Sequence, residues 1–291
     1  MTDRTTPTDR TTPTDRTTPT DRTTPADRTT PADRTTPAGQ TARSAAAAGP
    51  TRAVPPGRLP VDRVPVLRRA WWAVLDWWYA ARWQLRSAGP TTAEDYRTGE
   101  GQPVVVVPGV YETWHFMRPL MDALHDAGHP VHVLPVLRHN IRPVPESARE
   151  VLAYLEAEGL RDVLVVAHSK GGLIGKYAMT LPEGDRIDRM VAVSTPFAGS
   201  AYARLAPVRH LRVFRAADPV LAALGRDLAV NARITSVWGV FDTLIPAGSE
   251  LAGATNVRVP VGGHFRILAA RQTREAVLAA AAGPGQARDS A

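Results

Sequence analysis

The chain has 291 residues and a mass of 31.4 kDa, and its 35 basic and 28 acidic side chains give a formal charge of +7. A hydrophobic content of 44% excludes a wholly disordered chain, and the absence of Cys excludes disulfides, thiolate metal sites and a Cys nucleophile. No run of eighteen apolar residues occurs, so we expect no membrane-spanning helix. The first residues show no cationic stretch followed by an apolar stretch, which is the pattern of an ordinary signal peptide. We therefore expect no such signal and predict a cytoplasmic protein.

Residues 2–37 consist of six hexads, TDRTTP four times and then ADRTTP twice. Each hexad has one Asp, one Arg, one Pro and no large apolar residue, so it cannot contribute to a core, and its Pro excludes a helix. We therefore predict a charge-balanced, disordered tail over residues 1–60. A spacer, a modified Thr-rich stalk and an expanded coding repeat are all compatible with this composition.

Residues 61–90 hold a predicted amphipathic helix that is rich in Trp and Arg. It lies within residues 64–87 and contains five of the seven Trp. Helical spacing places one apolar set on a single face: Leu67, Trp71, Val74, Leu75 and Trp78. A neighbouring face carries Trp72, Tyr79 and Trp83. Two interpretations follow, peripheral contact with an anionic membrane surface or packing of an aromatic face on the rest of the protein. No recognised motif supports nucleic-acid binding, so we predict no such partner.

From residue 100 onwards, apolar strand-like runs alternate with helical patterns. The predicted strands are 103–107, 131–136, 163–168, 189–195, 232–241 and 255–261. The predicted helices are 113–127, 147–159, 172–180 and 265–282. This alternation is typical of an α/β protein with a doubly wound, mostly parallel sheet, which we place at residues 91–285. Residues 196–231 break the alternation, and their Ala, Leu and Arg content predicts a helical cap over the carboxyl edge of the sheet.

Ser169 lies between a predicted strand and a predicted helix, in the sequence Ala167-His168-Ser169-Lys170-Gly171-Gly172. This is the context of a nucleophile elbow, in which a strained turn presents a Ser hydroxyl at the sheet edge. Only small residues two before and two after the nucleophile leave room for the turn, and Ala167 and Gly171 meet that need. Ser169 is therefore the candidate nucleophile.

A Ser hydroxyl needs a base to take its proton, and the base needs a carboxylate to orient it. His264 directly follows the last predicted strand, and Asp242 directly follows the strand before it. Both are expected at carboxyl ends of strands, where an open α/β sheet binds its ligands. Asp218 and Asp227 remain alternatives for the acid. We expect His168 to be structural, since its side chain should point away from Ser169.

The developing negative charge of an acyl-transfer reaction needs two backbone N–H groups. One should belong to Lys170, which follows the nucleophile, and the other to Val110 in the loop after the first strand, with the Tyr111 amide as the reserve. Gly109, Tyr111 and Phe197 are the candidate substrate contacts.

The segments VVVVPGVYETW, VVAHSKGG, VSTPFAGS, WGVFDTLIP and GGHF resemble the α/β-hydrolase superfamily, and within it the compact bacterial lipase/esterase branch, over about residues 100–283. The resemblance implies hydrolysis of an acyl or lipid ester through an acyl-enzyme on Ser169, with no cofactor. Two residues depart from the pattern. Pro108 stands where many lipases have His, and Lys170 replaces the frequent Met or Gln, which places a cation beside the nucleophile and suggests an anionic head group as its target.

Two other functions remain open from the sequence. The same triad could serve an acyltransferase or a thioesterase, or the domain could be a non-catalytic scaffold at a membrane surface. The remaining His residues show no metal-ligand spacing such as H-E-x-x-H, so we predict no metal site. The oligomeric state is left open.

Overall fold

The computed structural model describes residues 64–86, 92–204 and 209–286. The predicted disordered tail over residues 1–60 lies outside these described residues. The proposed division of the chain at residues 60 and 90 stays a prediction.

Six parallel strands form the sheet at the centre of the fold. They are β1 Val104–Val107, β2 Val131–Val133, β3 Val163–His168, β4 Ile187–Val193, β5 Ile234–Phe241 and β6 Thr255–Gly262. Their order is β2-β1-β3-β4-β5-β6, and each adjacent pair is parallel. The predicted doubly wound, parallel α/β architecture is confirmed.

Helices cover both faces of this sheet. The helices are α1 Val66–Arg86, α2 Arg118–Asp126, α3 Val144–Ala157, α4 Lys170–Thr180, α5 Pro219–Arg226 and α6 Arg271–Gln286. Successive side chains of a strand point to opposite faces, so alternate residues enter two different cores. Val105 and Val165 pack with residues of α3 and α4, whereas Val104 and Val106 pack with residues of α2 and α6. Because both faces are covered, the central strands are apolar throughout.

The boundaries differ from the sequence prediction where Pro intervenes. The predicted strand 131–136 ends at Val133, and a short 3-10 helix begins at Pro135, which has no N–H to give to a sheet. Helix α3 begins three residues earlier than predicted, with Pro145 in its first turn. The predicted closing helix 265–282 is divided into a 3-10 helix, Arg266–Ala269, and α6.

Residues 196–231 contain helical segments, as the cap prediction requires. Two short 3-10 helices, Ala201–Arg204 and Arg209–Phe214, precede α5. Asp218 caps α5, because its side chain accepts hydrogen bonds from the Val220 and Leu221 N–H groups. Phe214 and Leu221 are buried in the core that α3 and α4 share.

The Trp-rich helix is α1, Val66–Arg86, and its two predicted faces have different environments. Asp76 is fully buried and Tyr79 is 9% exposed, so the side of the helix that carries them packs on the protein. The opposite side, which we call the exposed α1 face, consists of Leu67, Trp71, Val74 and Trp78. These four side chains are 59% to 85% exposed. Within the described ranges, no helix combines the length and apolar content that a membrane span requires.

Candidate active site

Ser169 occupies the sharp turn between β3 and α4. Its φ of 52° and ψ of −120° are a strained conformation for a residue with a side chain. A Cβ added at Gly171 would overlap the Val107 carbonyl oxygen, and one added at Gly172 would overlap the Thr195 hydroxyl. The turn therefore needs a small residue at Gly171, which is one of the two positions that the sequence analysis named, and also at Gly172, which it did not name.

The structure brings Ser169, His264 and Asp242 together in one hydrogen-bonded chain. His264 Nε2 lies 3.0 Å from Ser169 Oγ, and His264 Nδ1 lies 2.8 Å from Asp242 Oδ2. A carboxylate accepts, so Nδ1 carries the hydrogen and Nε2 is left to accept the Ser169 proton. All three residues are buried, with exposures of 2% to 6%.

The Asp242 carboxylate is held in its ionised form. Burial alone would raise its pKa, but His264 and the N–H groups of Leu244 and Ile245 lower it below the ordinary value. Those two N–H groups donate to Oδ1 at 2.8 and 2.9 Å. Burial alone would likewise lower the pKa of His264, but the Asp242 charge and hydrogen bond raise it above 6.5. The pair thus favours an imidazolium that is stabilised by a fixed carboxylate.

The two alternative acids have other roles. Asp218 is the cap of α5, and Asp227 Oδ1 accepts the Ala229 N–H at 3.2 Å. Asp242 is therefore the carboxylate that orients His264 in this structure.

The loop of residues 108–112, which we call the oxyanion loop, passes beside the elbow. Among the hydrogen bonds of the described residues, the backbone N–H groups of Val110 and Lys170 have no protein acceptor. The reserve candidate is excluded, because the Tyr111 N–H donates to the His139 carbonyl oxygen at 2.7 Å. Lys170 is the first residue of α4, so its N–H also lies at the positive end of a helix dipole.

The Lys170 side chain does not reach solvent, so it cannot meet an anionic head group as the sequence suggested. It is 1% exposed, and its Nζ donates to the Asn140 carbonyl oxygen at 2.7 Å and to the Arg142 carbonyl oxygen. Asn140 Nδ2 in turn donates to the Pro108 carbonyl oxygen at 2.7 Å. The ammonium therefore holds the 138–142 loop against the oxyanion loop. Burial lowers the pKa of Lys170 to about 8.

Glu112, the last residue of the oxyanion loop, forms a second carboxylate and imidazole pair with His168. Glu112 accepts the Gly109 N–H at 2.8 Å, and both its oxygens lie 2.8 Å from His168 Nδ1. His168 Nε2 lies 2.9 Å from the His264 carbonyl oxygen. A carbonyl oxygen only accepts, so Nε2 carries a hydrogen in this contact. The side-chain hydrogen bonds of His168 go to Glu112 and to the His264 backbone, and its structural role stays a prediction.

These groups also satisfy the distance requirement of a metal site. Ligand atoms of Glu112, His168 and His264 lie within 4.8 Å of one another. Both ring nitrogens of each His already have hydrogen-bond partners, so the set functions as a hydrogen-bonded network in this structure.

A cavity of about 180 Å³ opens in front of Ser169. Its apolar wall comes from the oxyanion loop, the cap and the loop after β5, through Val110, Pro196, Ala203, Leu211, Phe214, Leu244 and Ile245. None of the predicted substrate contacts Gly109, Tyr111 and Phe197 is among its described lining residues. A Cβ at Gly109 would overlap the Glu112 carboxylate, so this glycine allows close approach of Glu112 rather than of a substrate. Phe197 packs against the core.

Solved structures share this arrangement of sheet and helices. The mature form of the Bacillus licheniformis lipase BlEst2 is 15% identical and has a TM-score of 0.51, covering 67% of this chain and 94% of that chain. The chain has the α/β-hydrolase fold. The α/β-hydrolase MGS-MChE2 from a lagoon-sediment metagenome is 19% identical over 62% of this chain and 90% of that chain, with a TM-score of 0.47.

Sequence relatives of this hydrolase fold are distant. The lysosomal thioesterase PPT2 of Bos taurus is 27% identical over 106 residues, which cover 34% of this chain and 34% of the relative. The match spans about a third of the length of that curated relative. No protein-family model matches the chain.

Sequence reasoning about this hydrolase fold missed two buried carboxylates, Glu112 and Asp76. Glu112 lies three residues after Gly109, and a signal for it was present, because a lone acidic residue in an otherwise apolar oxyanion loop needs a partner when buried. Asp76 lies among tryptophans in α1, and its carboxylate contacts the backbone around His264. Its partners are 188 residues or more away along the chain, so no local pattern could identify them.

Proposed function

We propose that the chain is a serine hydrolase that cleaves acyl esters or thioesters through an acyl-enzyme on Ser169. The observation that carries this proposal is the continuous hydrogen-bonded chain from Asp242 through His264 to Ser169, at the wall of an apolar cavity. A proton acceptor, its orienting carboxylate and a nucleophile in this geometry are the parts that acyl transfer needs.

The reaction follows from the positions of these groups. Ser169 Oγ attacks the acyl carbonyl carbon while its proton moves to His264 Nε2, and the resulting oxyanion accepts hydrogen bonds from the Val110 and Lys170 N–H groups. The C–O or C–S bond then breaks, and His264 gives the proton to the leaving alcohol or thiol. A water molecule next gives a proton to His264 and its oxygen attacks the acyl-enzyme. Ser169 takes the proton back as the free acid leaves.

The cavity supports an acyl group as the substrate. Its volume is about 180 Å³. The lining is mainly aliphatic and aromatic, which favours a hydrocarbon chain.

Two observations bear on the leaving group. The curated relatives are thioesterases by name, whereas the solved neighbour BlEst2 is a lipase. We therefore include both thioesters and oxygen esters in the proposed substrate class. Acyl transfer to another acceptor in place of water uses the same first half of the reaction and is the second candidate function.

The decisive test compares p-nitrophenyl esters with acyl-coenzyme A thioesters of the same chain lengths, in the wild type, in Ser169→Ala and in Ser147→Ala. Removal of the nucleophile should lower kcat about 10⁴-fold or more. Ser147 is also a buried serine, but it lies in α3, so its variant is the matched control and should retain activity.

Three outcomes separate the candidates. Turnover that depends on Ser169 supports hydrolysis. Product that forms only with an added alcohol or thiol acceptor favours acyl transfer. A folded wild type that neither turns over these substrates nor reacts with a fluorophosphonate would favour the non-catalytic scaffold.

We also propose a membrane-peripheral position in the cytoplasm, with the exposed α1 face against anionic lipid. Trp71 and Trp78 are 61% and 60% exposed, and Arg82 lies over the Trp78 ring at 5.6 Å from its centroid. Arg68 is also exposed, whereas the one acidic residue of the helix, Asp76, is buried and faces inward. The surface that α1 offers is thus apolar and cationic, which complements anionic head groups.

Vesicle sedimentation tests this position. Vesicles that contain phosphatidylglycerol should bind the wild type and bind a Trp71→Ala/Trp78→Ala variant more weakly. Vesicles of phosphatidylcholine alone and the variant Gln84→Ala, at an exposed polar site of the same helix, are the controls. Equal binding of the wild type and the double variant would contradict the proposal.

A further inference from the structure

Helix α1 contacts the two strand ends that carry His264 and Asp242. The Trp72 ring lies 6.4 Å from that of Phe241, the residue before Asp242. The Trp77 ring lies 5.9 Å from that of Phe265, the residue after His264. A helix that precedes the whole sheet in the chain is therefore packed against the residues of the candidate triad.

The centre of this contact is Asp76, which is fully buried. Its Oδ2 accepts the His264 N–H at 2.8 Å. Its Oδ1 accepts the N–H groups of Phe265 and Arg266, each at 2.8 Å. One carboxylate thus holds three successive N–H groups at the beginning of the 3-10 helix Arg266–Ala269. Buried charge-assisted hydrogen bonds of this kind are strong and fix geometry.

The carbonyl group of His264 is fixed as well as its N–H group. Its carbonyl oxygen accepts from His168 Nε2, whose ring is anchored by Glu112. The backbone of His264 is therefore held through its N–H by α1 and through its C=O by the residue next to Ser169. Its imidazole can keep its place between Asp242 and Ser169 only while this backbone stays fixed.

The two glycines before His264 are explained by the same contact. A Cβ added at Gly262 would overlap the Trp72 ring. A Cβ added at Gly263 would lie 2.6 Å from Asp76 Oδ1, and its φ of 119° is one that residues with side chains rarely adopt. The lack of side chains at Gly262 and Gly263 thus leaves the space that Trp72 and Asp76 of α1 occupy.

We infer that Asp76 is a positioning residue for the base His264, which makes α1 a part of the active site of the proposed hydrolase. The inference rests on the proposed function, in which His264 accepts the Ser169 proton. Asp76 is not itself among the described lining residues of the cavity, and its hydrogen bonds go to backbone N–H groups and not to Ser169. Its loss should therefore affect the chemical step and leave substrate binding largely intact.

The charged groups around His264 predict a second effect. Burial lowers the pKa of His264, while Asp242, Glu112 and Asp76, in decreasing order, raise it. The other titratable group against the ring is His168, whose centroid lies 4.9 Å away. Loss of the Asp76 charge removes one of the groups that favour the imidazolium, so the pKa of His264 should fall.

The experiment uses the full chain with Asp76→Asn and Asp76→Ser, and Asp126→Asn as the matched control. Asp126 is an exposed carboxylate at the end of α2, so its loss changes the net charge without touching the site. The readouts are kcat and KM on the best ester, the pH profile of kcat/KM, the NMR titration of the His264 ring, and the folded fraction from a thermal melt.

We expect both Asp76 variants to lose about 100-fold in kcat with KM little changed, the scale of a misplaced catalytic group. The acid limb of the profile and the His264 titration should both move to lower pH, and Asp126→Asn should behave as the wild type. An unchanged kcat in a folded Asp76 variant overturns the inference, as does a loss that only follows the folded fraction. If the wild type has no activity, the proposed function fails, and an unchanged His264 titration then overturns the inference separately.

Discussion

Replacement of Lys170 by Met tests the internal role that the structure gives to this cation. The side chain is 1% exposed, and burial lowers its pKa from 10.5 to about 8. In the unfolded chain the amine keeps its proton up to about pH 10.5, so between pH 8 and 10.5 the unfolded state binds more protons than the folded state. The free energy of unfolding therefore rises with pH across this window.

The size of the rise follows from the shift. The lowering of the Lys170 pKa from 10.5 to about 8 corresponds to about 3.5 kcal/mol in full, since one pKa unit is worth about 1.4 kcal/mol, and about 3 kcal/mol of this is gained by pH 10.5. In Lys170→Met this contribution is absent. The variant also leaves the Asn140 and Arg142 carbonyl oxygens without their donor, which adds a roughly constant cost of about 1–3 kcal/mol for each buried group.

The assay is urea unfolding of both proteins, followed by Trp fluorescence at several values from pH 7 to 10.5. Other titrating groups are common to the two proteins and cancel in the difference between them. We expect the stability of the wild type relative to Lys170→Met to increase by about 3 kcal/mol across the range. Parallel curves would refute the reasoning, because they would mean that the ammonium is not desolvated at this position.

Four further predictions concern the site. Since the pKa of His264 is raised, the acid limb of kcat/KM should have its midpoint above pH 6.5 in a pH–rate profile. Phe214 lines the cavity, so Phe214→Ala should enlarge it and move the preferred acyl length to longer chains in an ester series. Glu112→Gln should weaken the support of the oxyanion loop and lower kcat about tenfold, the value of one such hydrogen bond, in steady-state assays. Gly172→Ala forces a Cβ into the Thr195 side chain and should cost about 1–3 kcal/mol in chemical denaturation.

The strands and the elbow were predictable because the signals for them are local. A continuous apolar run such as β3 needs no distant partner to be recognised, and the small residues around Ser169 reflect steric limits within one turn. The order Ser169, Asp242, His264 could be proposed because strand ends of a parallel sheet meet at one edge. The structure brings these three residues together, and their catalytic role remains a proposal.

The remaining features depend on partners that are distant in the sequence. Helical spacing grouped the four exposed residues of α1 together, but it also placed the half-buried Leu75 among them. It could not tell which face the protein covers, since both carry tryptophan. The environment of Lys170 was misjudged for the same reason, because its acceptors come from the 138–142 loop. Phe197 was an expected substrate contact, and its neighbour Pro196 lines the cavity instead.

The contact between α1 and the residues around His264 also has a consequence for synthesis of the protein. Asp76 leaves the ribosome early, yet the first N–H group that donates to its carboxylate, that of His264, follows 188 residues later. At about 5–20 residues per second this separation corresponds to roughly 10–40 s of translation. Throughout that interval the tryptophans of α1 lack the residues on which the helix later packs. The nascent chain therefore carries an aggregation-prone segment until its last strand is synthesised. Solubility during expression should therefore depend on the rate of translation and on chaperones that cover α1, even for variants whose finished fold is stable.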